Sequence, residues 1–214
     1  MNRVLAAGFT LIELLIVIAI IGVLAATFLP DLIGSKENAN ILADSRNLTQ
    51  MYTWLETARG PTKLKSLPSE GGHKFLLTLW TKDVIDHSPE NFDRFFTPGI
   101  DDPYYSKLRA QLVAGEKIWP DLNSVTSEDT HYAARAKEHL KGMTDFKEAW
   151  AANDNEGGWA FKGGVVNVLY GNGSVRPLTY QEMKDQNWIV DKDNEVLKTW
   201  GPDSPVPFLQ KLMN

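Results

Sequence analysis

The first thirty residues hold an almost unbroken apolar run, in which Phe9 to Leu29 contains one charged side chain, Glu13. The 21 residues of this run match the roughly 20 that a helix needs to cross about 30 Å of hydrocarbon. One arginine and the chain amine precede the run, and positive charge favours the cytoplasmic side. The pattern predicts a single-pass inner-membrane helix over residues 9–29, with the N-terminus in the cytoplasm and the remaining chain in the periplasm.

Three simpler interpretations compete with this one: a cleaved secretory signal, a plain signal anchor and a buried helix of a soluble protein. A secretory signal has an apolar core of roughly 7–15 residues, which is shorter than this run, and a plain anchor leaves Glu13 unexplained. An acid inside a span costs about 2.5–3.5 kcal/mol at mid-bilayer and less near its end, so it usually has a partner. A cut between Gly8 and Phe9 would create an amine about one helical turn from Glu13.

The sequence from Gly8 to Glu13, G-F-T-L-I-E, followed by the apolar run, resembles the N-terminal signature of type IV pilins and type II secretion pseudopilins. The resemblance covers residues 1–58. It implies that residues 1–8 are a leader cut after Gly8 by a prepilin peptidase, and that Phe9 is then N-methylated. It also implies that Glu13 pairs with the N-terminal amine of an adjacent subunit. The further partners that it implies are other pilins or pseudopilins and an inner-membrane assembly platform with its ATPase.

Gly22 and Pro30 are the two positions at which the apolar helix is expected to bend or unwind. Proline lacks an amide donor, and it disfavours helical geometry at the preceding residue, Leu29. The resemblance implies a stretch of helix that melts in the filament, and a simple kink or helix end at the membrane surface is the alternative.

From Pro30 to Ala58 the pattern changes to that of an amphipathic helix, which Gly60 and Pro61 end. The charged and amide residues of this segment are expected on its other, solvent-facing sides: Asp44, Arg46, Asn47 and Glu56. Residues 9–58 would then form one helix about 75 Å long, whose outer half packs against a globular head over residues 59–214.

The pattern of the head predicts an α+β fold with a small antiparallel sheet. Asn172-Gly173 is a strong turn pair between two β-rich runs, and Thr179 to Glu182 reads as a capping box. The predicted elements are helices at 73–85, 105–113 and 128–140, a turn or two at 145–150, strands at 165–170 and 174–178, and a short helix after Thr179.

The stretch G-G-V-V-N-V-L-Y-G-N-G-S-V-R is also similar to the C-terminal hairpin of prepilin-like proteins that carry a His, nine residues and then Asp-Gly. Lys162 and Asn172 replace the His and the Asp here, so the resemblance supports the hairpin alone. A glycine-rich phosphate loop is disfavoured, because these glycines flank a turn and do not open a helix after a strand.

The composition of the chain excludes several kinds of binding and catalytic site. The net charge is −5 and there is no cysteine, which argues against a general affinity for nucleic acid and excludes thiolate zinc sites and cysteine nucleophiles. The four histidines are scattered and are interpreted as surface residues, and no nucleophile-elbow pattern is present. We therefore expect no enzyme. Trp150, Trp159, Trp188 and Trp200 are expected in the core, with a glycan- or partner-binding surface as the alternative.

A calcium ion is the one cofactor that the sequence suggests. Major pseudopilins often order a C-terminal loop with calcium, and the acidic stretch at Asp191, Asp193 and Glu195 is the candidate site. It lacks the glycine and the spaced glutamate of an EF-hand, so a solvated acidic loop is the alternative.

The resemblance implies a structural subunit that polymerises through its N-terminal helix, and the filament could be of two kinds. The absence of a cysteine pair favours a pseudopilin of a type II secretion system or a related pilus, and Glu13 argues against a tip subunit. The alternative is a surface pilin with a ligand-binding head that serves adhesion or DNA uptake.

Overall fold

The computed structural model describes most of the chain after residue 10 and divides it into two compact units, Met1–Ala39 and Asn40–Asn214. For residues 24–33 only the backbone is described. The described residues are 11–59, 68–140, 147–155, 158–161, 163–188 and 198–214.

Helix α1 runs from Leu11 to Ala58 and contributes to both units. Its outer part carries a stripe of buried residues at helical spacing, Leu48, Met51 and Leu55, as the periodicity predicts. The helical backbone is continuous through Gly22 and Pro30. The bend or melting expected at these two positions therefore stays a prediction about the assembled state.

Helix α2 (His73–Thr81) ends four residues before the predicted boundary at Ile85. The cause is local, because Asp83 adopts a left-handed conformation with φ 50°. The N–H of Asp83 then donates to the Trp80 carbonyl, and that of Val84 donates to the Leu79 carbonyl. These two bonds form a Schellman motif that satisfies the last carbonyls of the helix.

Two more helices precede the sheet, α3 (Pro89–Asp93) and α4 (Pro103–Val113). Each has a side-chain cap followed by proline at its first position. The Asp102 carboxylate accepts from the N–H of Tyr104 at 2.8 Å, which stabilises the start of α4. The helix predicted at 105–113 is thus confirmed and begins two residues earlier.

The helix predicted over residues 128–140 is wrong. The structure has a 3₁₀ turn at Ser127–Asp129, strand β1 at Tyr132–Arg135 and a second 3₁₀ turn at Lys137–His139. The helical turn expected at 145–150 is also wrong at its end, because Ala149–Asn153 forms strand β2. Both strands are rich in alanine, which favours helices by intrinsic propensity, and the packing described below overrides that preference.

The sheet has five antiparallel strands in the order β4-β3-β2-β1-β5, where β3 is Val165–Tyr170, β4 is Val175–Thr179 and β5 is Leu212–Met213. Helix α5 (Tyr180–Asp185) follows β4 directly, and the Thr179 hydroxyl accepts from the N–H of Glu182. The predicted hairpin is therefore confirmed. Of the predicted capping box, the Thr179 cap is confirmed, whereas the Glu182 carboxylate pairs with Arg176.

Both faces of the sheet are covered. Tyr132, Trp150 and Leu169 lie in a core with α1, α2 and the aromatic residues of α3, whereas Ala133 and Val168 lie in a second core with Met183 and the C-terminal segment. The register shifts between Ala149 and Ala151, which places Trp150 and Ala151 on the same side. The structure is thus an α+β fold with an N-terminal helix and an antiparallel head, the class that the sequence predicts.

Candidate functional site

The first described part of α1 presents apolar side chains on all sides. Leu11 is 81% exposed and Val17, the least exposed of the large apolar residues here, is 44% exposed. A helix that is apolar all round is normally buried, so this segment needs a cover that the described residues do not supply. The exposed residues are Leu11, Ile12, Leu14, Leu15, Ile16, Val17, Ile18, Ile20, Ile21 and Val23.

Glu13 is the one acid in this exposed segment and lies in the first described turn of α1. A carboxylate is favoured there by the positive end of the helix dipole. Gly8 and Phe9 lie outside the described residues, so the cut, the methylation and the pairing of Glu13 with an amine all stay predictions.

Gly22 is open to its surroundings, since a Cβ added there would meet nothing within 4 Å. No contact among the described residues therefore explains why a residue without a side chain stands at this position. Close approach of another helix is a common reason for glycine on an apolar helix face.

Among the helices that the structure describes, none combines the length and the apolar character that crossing a bilayer requires.

The outer part of α1 is held to the head by a buried carboxylate that sequence reasoning assigned to the solvent. Asp44 and Asn47 were expected on exposed faces, and both are buried. The reason lies in the same helical stripe, because Asp44 is one turn before Leu48 and so faces the sheet. The spacing from Leu48 could therefore have predicted that Asp44 is buried, although it gives no information about which residues bind it.

Asp44 accepts hydrogen bonds from three strands at once. The hydroxyl of Tyr132 on β1 donates to Oδ1 at 2.6 Å, and Nδ2 of Asn167 on β3 donates to Oδ2 at 2.7 Å. Nδ2 of Asn153 on β2 lies 3.1 Å and 3.0 Å from the two oxygens. Every donor in this set, which we call the Asp44 cluster, is a neutral side chain.

Burial raises the pKa of Asp44 above its ordinary value, and the hydrogen bonds from Tyr132, Asn167 and Asn153 oppose that rise only in part. Burial also raises the pKa of Tyr132 well above its usual range, with the neighbouring Asp44 charge as a second cause. Because Asp44 is fully buried, it cannot meet a ligand. Its role is to fix one face of α1 against three strands.

The expected metal site cannot be placed, because Asp191, Asp193 and Glu195 lie outside the described residues, as does Lys162. Within the part of the chain that the structure describes, no group of three or more His, Asp or Glu side chains could hold a metal ion.

The histidines are less exposed than the sequence suggested. Nδ1 of His131 accepts from the N–H of Thr97 at 3.2 Å, and its Nε2 donates to Asp102 at 3.0 Å. The ring of His87 stacks on Trp80 with centroids 4.3 Å apart. The interpretation of all four as surface residues is therefore wrong for His131, whose side chain is 17% exposed.

The tryptophans divide into two groups. Trp150 and Trp200 are buried, as expected, whereas Trp159 and Trp188 are only partly buried and pack on the second core. Trp159 and Trp200 also line an open cleft on the head.

Comparison with known proteins gives a match to one family model and matches to curated relatives. Residues 5–29 match the family model described as "Prokaryotic N-terminal methylation motif". The chain is 35% identical over 85 residues to type II secretion system core protein G of Pectobacterium carotovorum subsp. carotovorum, which covers 40% of this chain and 52% of that protein. The chain thus spans about half the length of this relative.

Two further relatives are pilus proteins. The chain is 49% identical over 53 residues to the type IV wide pilus major component PilA4 of Thermus thermophilus, covering 22% of this chain and 40% of that protein. It is 32% identical over 136 residues to a fimbrial protein of Moraxella nonliquefaciens, covering 56% of this chain and 88% of that protein. No solved structure matches.

Proposed function

We propose that the chain, which belongs to the family of type IV pilins and type II secretion pseudopilins, is a structural subunit of a filament that polymerises through its N-terminal helix. The observation that carries the proposal is the segment Leu11 to Val23, whose large apolar side chains are all exposed in the single chain. Burial of this surface in lipid before assembly, and against neighbouring helices afterwards, would supply the driving force.

In this proposal Glu13 sets the register between subunits. Cleavage after Gly8 leaves an amine on Phe9, and the carboxylate of Glu13 neutralises the amine of an adjacent subunit in the low-dielectric filament core. The open surroundings of Gly22 support the close approach of a neighbouring helix at that depth. Pro30 would mark the place where the helix unwinds once it is packed.

Of the two kinds of filament, we favour a secretion pseudopilus or a related periplasmic filament. The head has no cysteine and so cannot carry a stapling disulfide, and core protein G is one of the relatives. The chain would insert with its N-terminus in the cytoplasm and its head in the periplasm. It would use a prepilin peptidase and an assembly platform with its ATPase, and it would pack beside other pilins. Calcium at Asp191, Asp193 and Glu195 would order the C-terminal loop.

Mass spectrometry of protein purified from membranes or sheared filaments tests the processing. The expected mature chain begins at Phe9 and carries a methyl group on its amine. A chain that begins at Met1, or that is cut after Ala26, would contradict the proposal.

The role of Glu13 is tested by comparing Glu13→Ala with Glu13→Asp in cells that assemble filaments. Glu13→Ala should reach the membrane at the normal level and give few sheared filaments, because the amine of the neighbouring subunit then has no counter-charge. Glu13→Asp keeps the charge and should retain more assembly. Normal filaments from Glu13→Ala would contradict the proposed pairing.

Electron microscopy of sheared fibres labelled for this head distinguishes a surface pilus from a periplasmic filament.

A further inference from the structure

A cleft of about 1000 Å³ opens on the head, at the upper end of the size range of small-molecule sites. Its described walls come from the start of α4, the 3₁₀ turn at Ser127–Asp129, the residues after β2 and the C-terminal segment. The residues that matter here are Asp102, Glu128, Asp154, Trp159, Lys198 and Trp200.

The described lining is negatively charged. Asp102, Glu128 and Asp154 supply three carboxylates, and Lys198 supplies one ammonium group. His131 adds no charge in the arrangement seen, because its Nδ1 accepts a backbone N–H while its Nε2 donates to Asp102. A cleft with this surplus of negative charge repels phosphates and acidic sugars and concentrates cations.

Two of the carboxylates are held in fixed orientations. Asp102 receives the N–H of Tyr104 at Oδ1 and Nε2 of His131 at Oδ2. Asp154 receives the indole N–H of Trp200 at Oδ1, at 2.8 Å, and Nδ2 of Asn214 at Oδ2, at 2.6 Å. Since an ionised carboxylate has about four acceptor positions, bonds of this kind orient it in advance for a ligand that donates.

The cleft already contains one cation on an aromatic face. The ammonium of Lys198 lies 3.5 Å from the ring centroid of Trp200, a distance at which the negative ring face attracts it. Trp200 is itself fixed, because its indole N–H is bonded to Asp154. The Lys198 ammonium therefore covers the ring face in the way that a bound ligand would. Its position shows that an ammonium group fits on this ring.

We propose that this cleft binds an ammonium or guanidinium group of a ligand, such as a lysine or arginine side chain of a partner polypeptide, and that the incoming cation displaces Lys198 from Trp200. The oriented carboxylates accept hydrogen bonds from the N–H groups of the ligand, and the indole ring of Trp200 makes a cation–π contact with its positive charge. This proposal depends on the head alone, so it stands or falls separately from the filament assignment.

The binding experiment uses the full chain in non-ionic detergent micelles, labelled with ¹⁵N at the indole nitrogens. The probe is the tripeptide acetyl-Gly-Lys-Gly-amide, compared with the isosteric but uncharged acetyl-Gly-norleucine-Gly-amide and with maltotriose. The Trp200 indole signal is assigned from a Trp200→Phe chain. We expect the lysine peptide to shift this signal saturably, with an effect that weakens as salt rises, and we expect the norleucine peptide to have no such effect.

Lys198→Met gives the sharpest test, because it removes the tethered competitor and keeps an apolar stem. The lysine peptide should then bind about two- to five-fold more tightly, as expected from loss of one exposed cation–π competitor. The matched control is Lys184→Met, which makes the same change of charge on an exposed residue of α5 that does not line the cleft.

Glu128→Gln tests the charge with little risk to folding, since Glu128 is exposed. It should weaken the lysine peptide about two- to five-fold, while Glu138→Gln, exposed and away from the cleft, should leave binding unchanged. Three results would each overturn the proposal: equal binding of the norleucine peptide, saturable binding of maltotriose in place of the lysine peptide, and a Lys198→Met chain that binds no better than the Lys184→Met control.

Discussion

Asp44 attaches α1 to the sheet through buried hydrogen bonds to three strands. Replacing it with alanine leaves the buried hydroxyl of Tyr132 without its acceptor. The amide groups of Asn153 and Asn167 each lose one of their two kinds of acceptor and keep Thr97 Oγ1 and the Ile41 carbonyl, respectively. A buried polar group that loses its partner costs about 1–3 kcal/mol. Asp44→Ala should therefore lower the free energy of unfolding of the head by about 3 kcal/mol or more, measured by chemical denaturation followed by near-UV circular dichroism.

The control for this change is Glu56→Ala on the same helix. Glu56 pairs with Arg59 at the surface, and exposed ion pairs of this kind contribute about 0–1 kcal/mol. If the two alanine substitutions had equal effects, the Asp44 cluster would have no special role in stability.

Asp44 also makes the stability of the head depend on pH, with a sign opposite to that of an ordinary salt-bridged acid. Its folded pKa is raised by burial, so folding favours its protonated form. This contribution to stability is fully present below its ordinary pKa of about 3.8 and is lost as the pH rises through the raised folded pKa. Asp44→Asn removes the titration.

The stability of the wild-type head relative to Asp44→Asn should thus fall as the pH rises from about 4. Thermal melting of both proteins across this range measures the difference. Because only the difference between the two proteins is compared, the titration of other acids such as Glu148 cancels. A difference that is flat with pH, or that grows with pH, would contradict the raised pKa.

At the scale of elements, the hairpin between β3 and β4 depends on Gly173. The loop 171–173 has three residues, closed by the bond from the N–H of Tyr170 to the Ser174 carbonyl, and Gly173 has φ 80°. A two-residue Asn-Gly turn of type I′ would need positive φ at both Asn172 and Gly173. Among the described residues with positive φ only Gly173 of this pair appears, which matches a type I turn followed by a left-handed glycine.

Gly173→Ala should destabilise the head for two separable reasons. The left-handed conformation costs a residue with a Cβ about 1–2 kcal/mol, and the new Cβ would lie 2.5 Å from Cε1 of Tyr52 on α1. Gly115→Ala is the matched control, since Gly115 has φ 83° and open space around it. Thermal melting should show a larger loss for Gly173→Ala, and equal losses would mean that the contact with Tyr52 relaxes without cost.

The elements that the sequence predicts correctly are those marked by a pattern among neighbouring residues. The elements that it does not predict have no such pattern. The stripe of Leu48, Met51 and Leu55 and the Asn172-Gly173 pair are legible from neighbouring residues alone. Strands β1 and β2 are not, because both are buried on their two faces and so lack alternation. Their alanines leave room for Trp150 and the helices on one side and for the C-terminal segment on the other, a requirement set by distant residues.

The same limit applies to the candidate sites. Gly8, Phe9 and Glu13 form a contiguous motif, so a sequence can propose their roles directly. The Asp44 cluster joins Asp44 to donors 88 or more positions further along the chain, and the cleft joins α4 to the C-terminal segment. Spacing along the chain carries no information about such pairs until the topology of the sheet is known.

At the scale of the whole molecule, the exposed apolar surface and the folded cores belong to different parts of the chain. The large exposed side chains from Leu11 to Val23 fall in the unit Met1–Ala39, while both hydrophobic cores draw on residues of the unit Asn40–Asn214. Stability of the head and assembly of the filament should therefore be separable by truncation, because removing the first unit takes away no described core residue.

A chain shortened to residues 40–214 should be a soluble, folded monomer. It keeps Asp44 and the helical stripe that covers the sheet, and it loses the apolar segment that would drive association. A chain shortened to residues 60–214 is the control, because it lacks that stripe and would leave Tyr132 and Trp150, both buried, facing water. We expect sedimentation velocity and dispersed tryptophan indole signals to show a folded monomer for the first chain and an aggregated or unfolded state for the second.

Two outcomes would contradict this expectation. If both chains fold equally well, α1 is not part of the core of the head. If neither chain folds, the head depends on residues before Asn40.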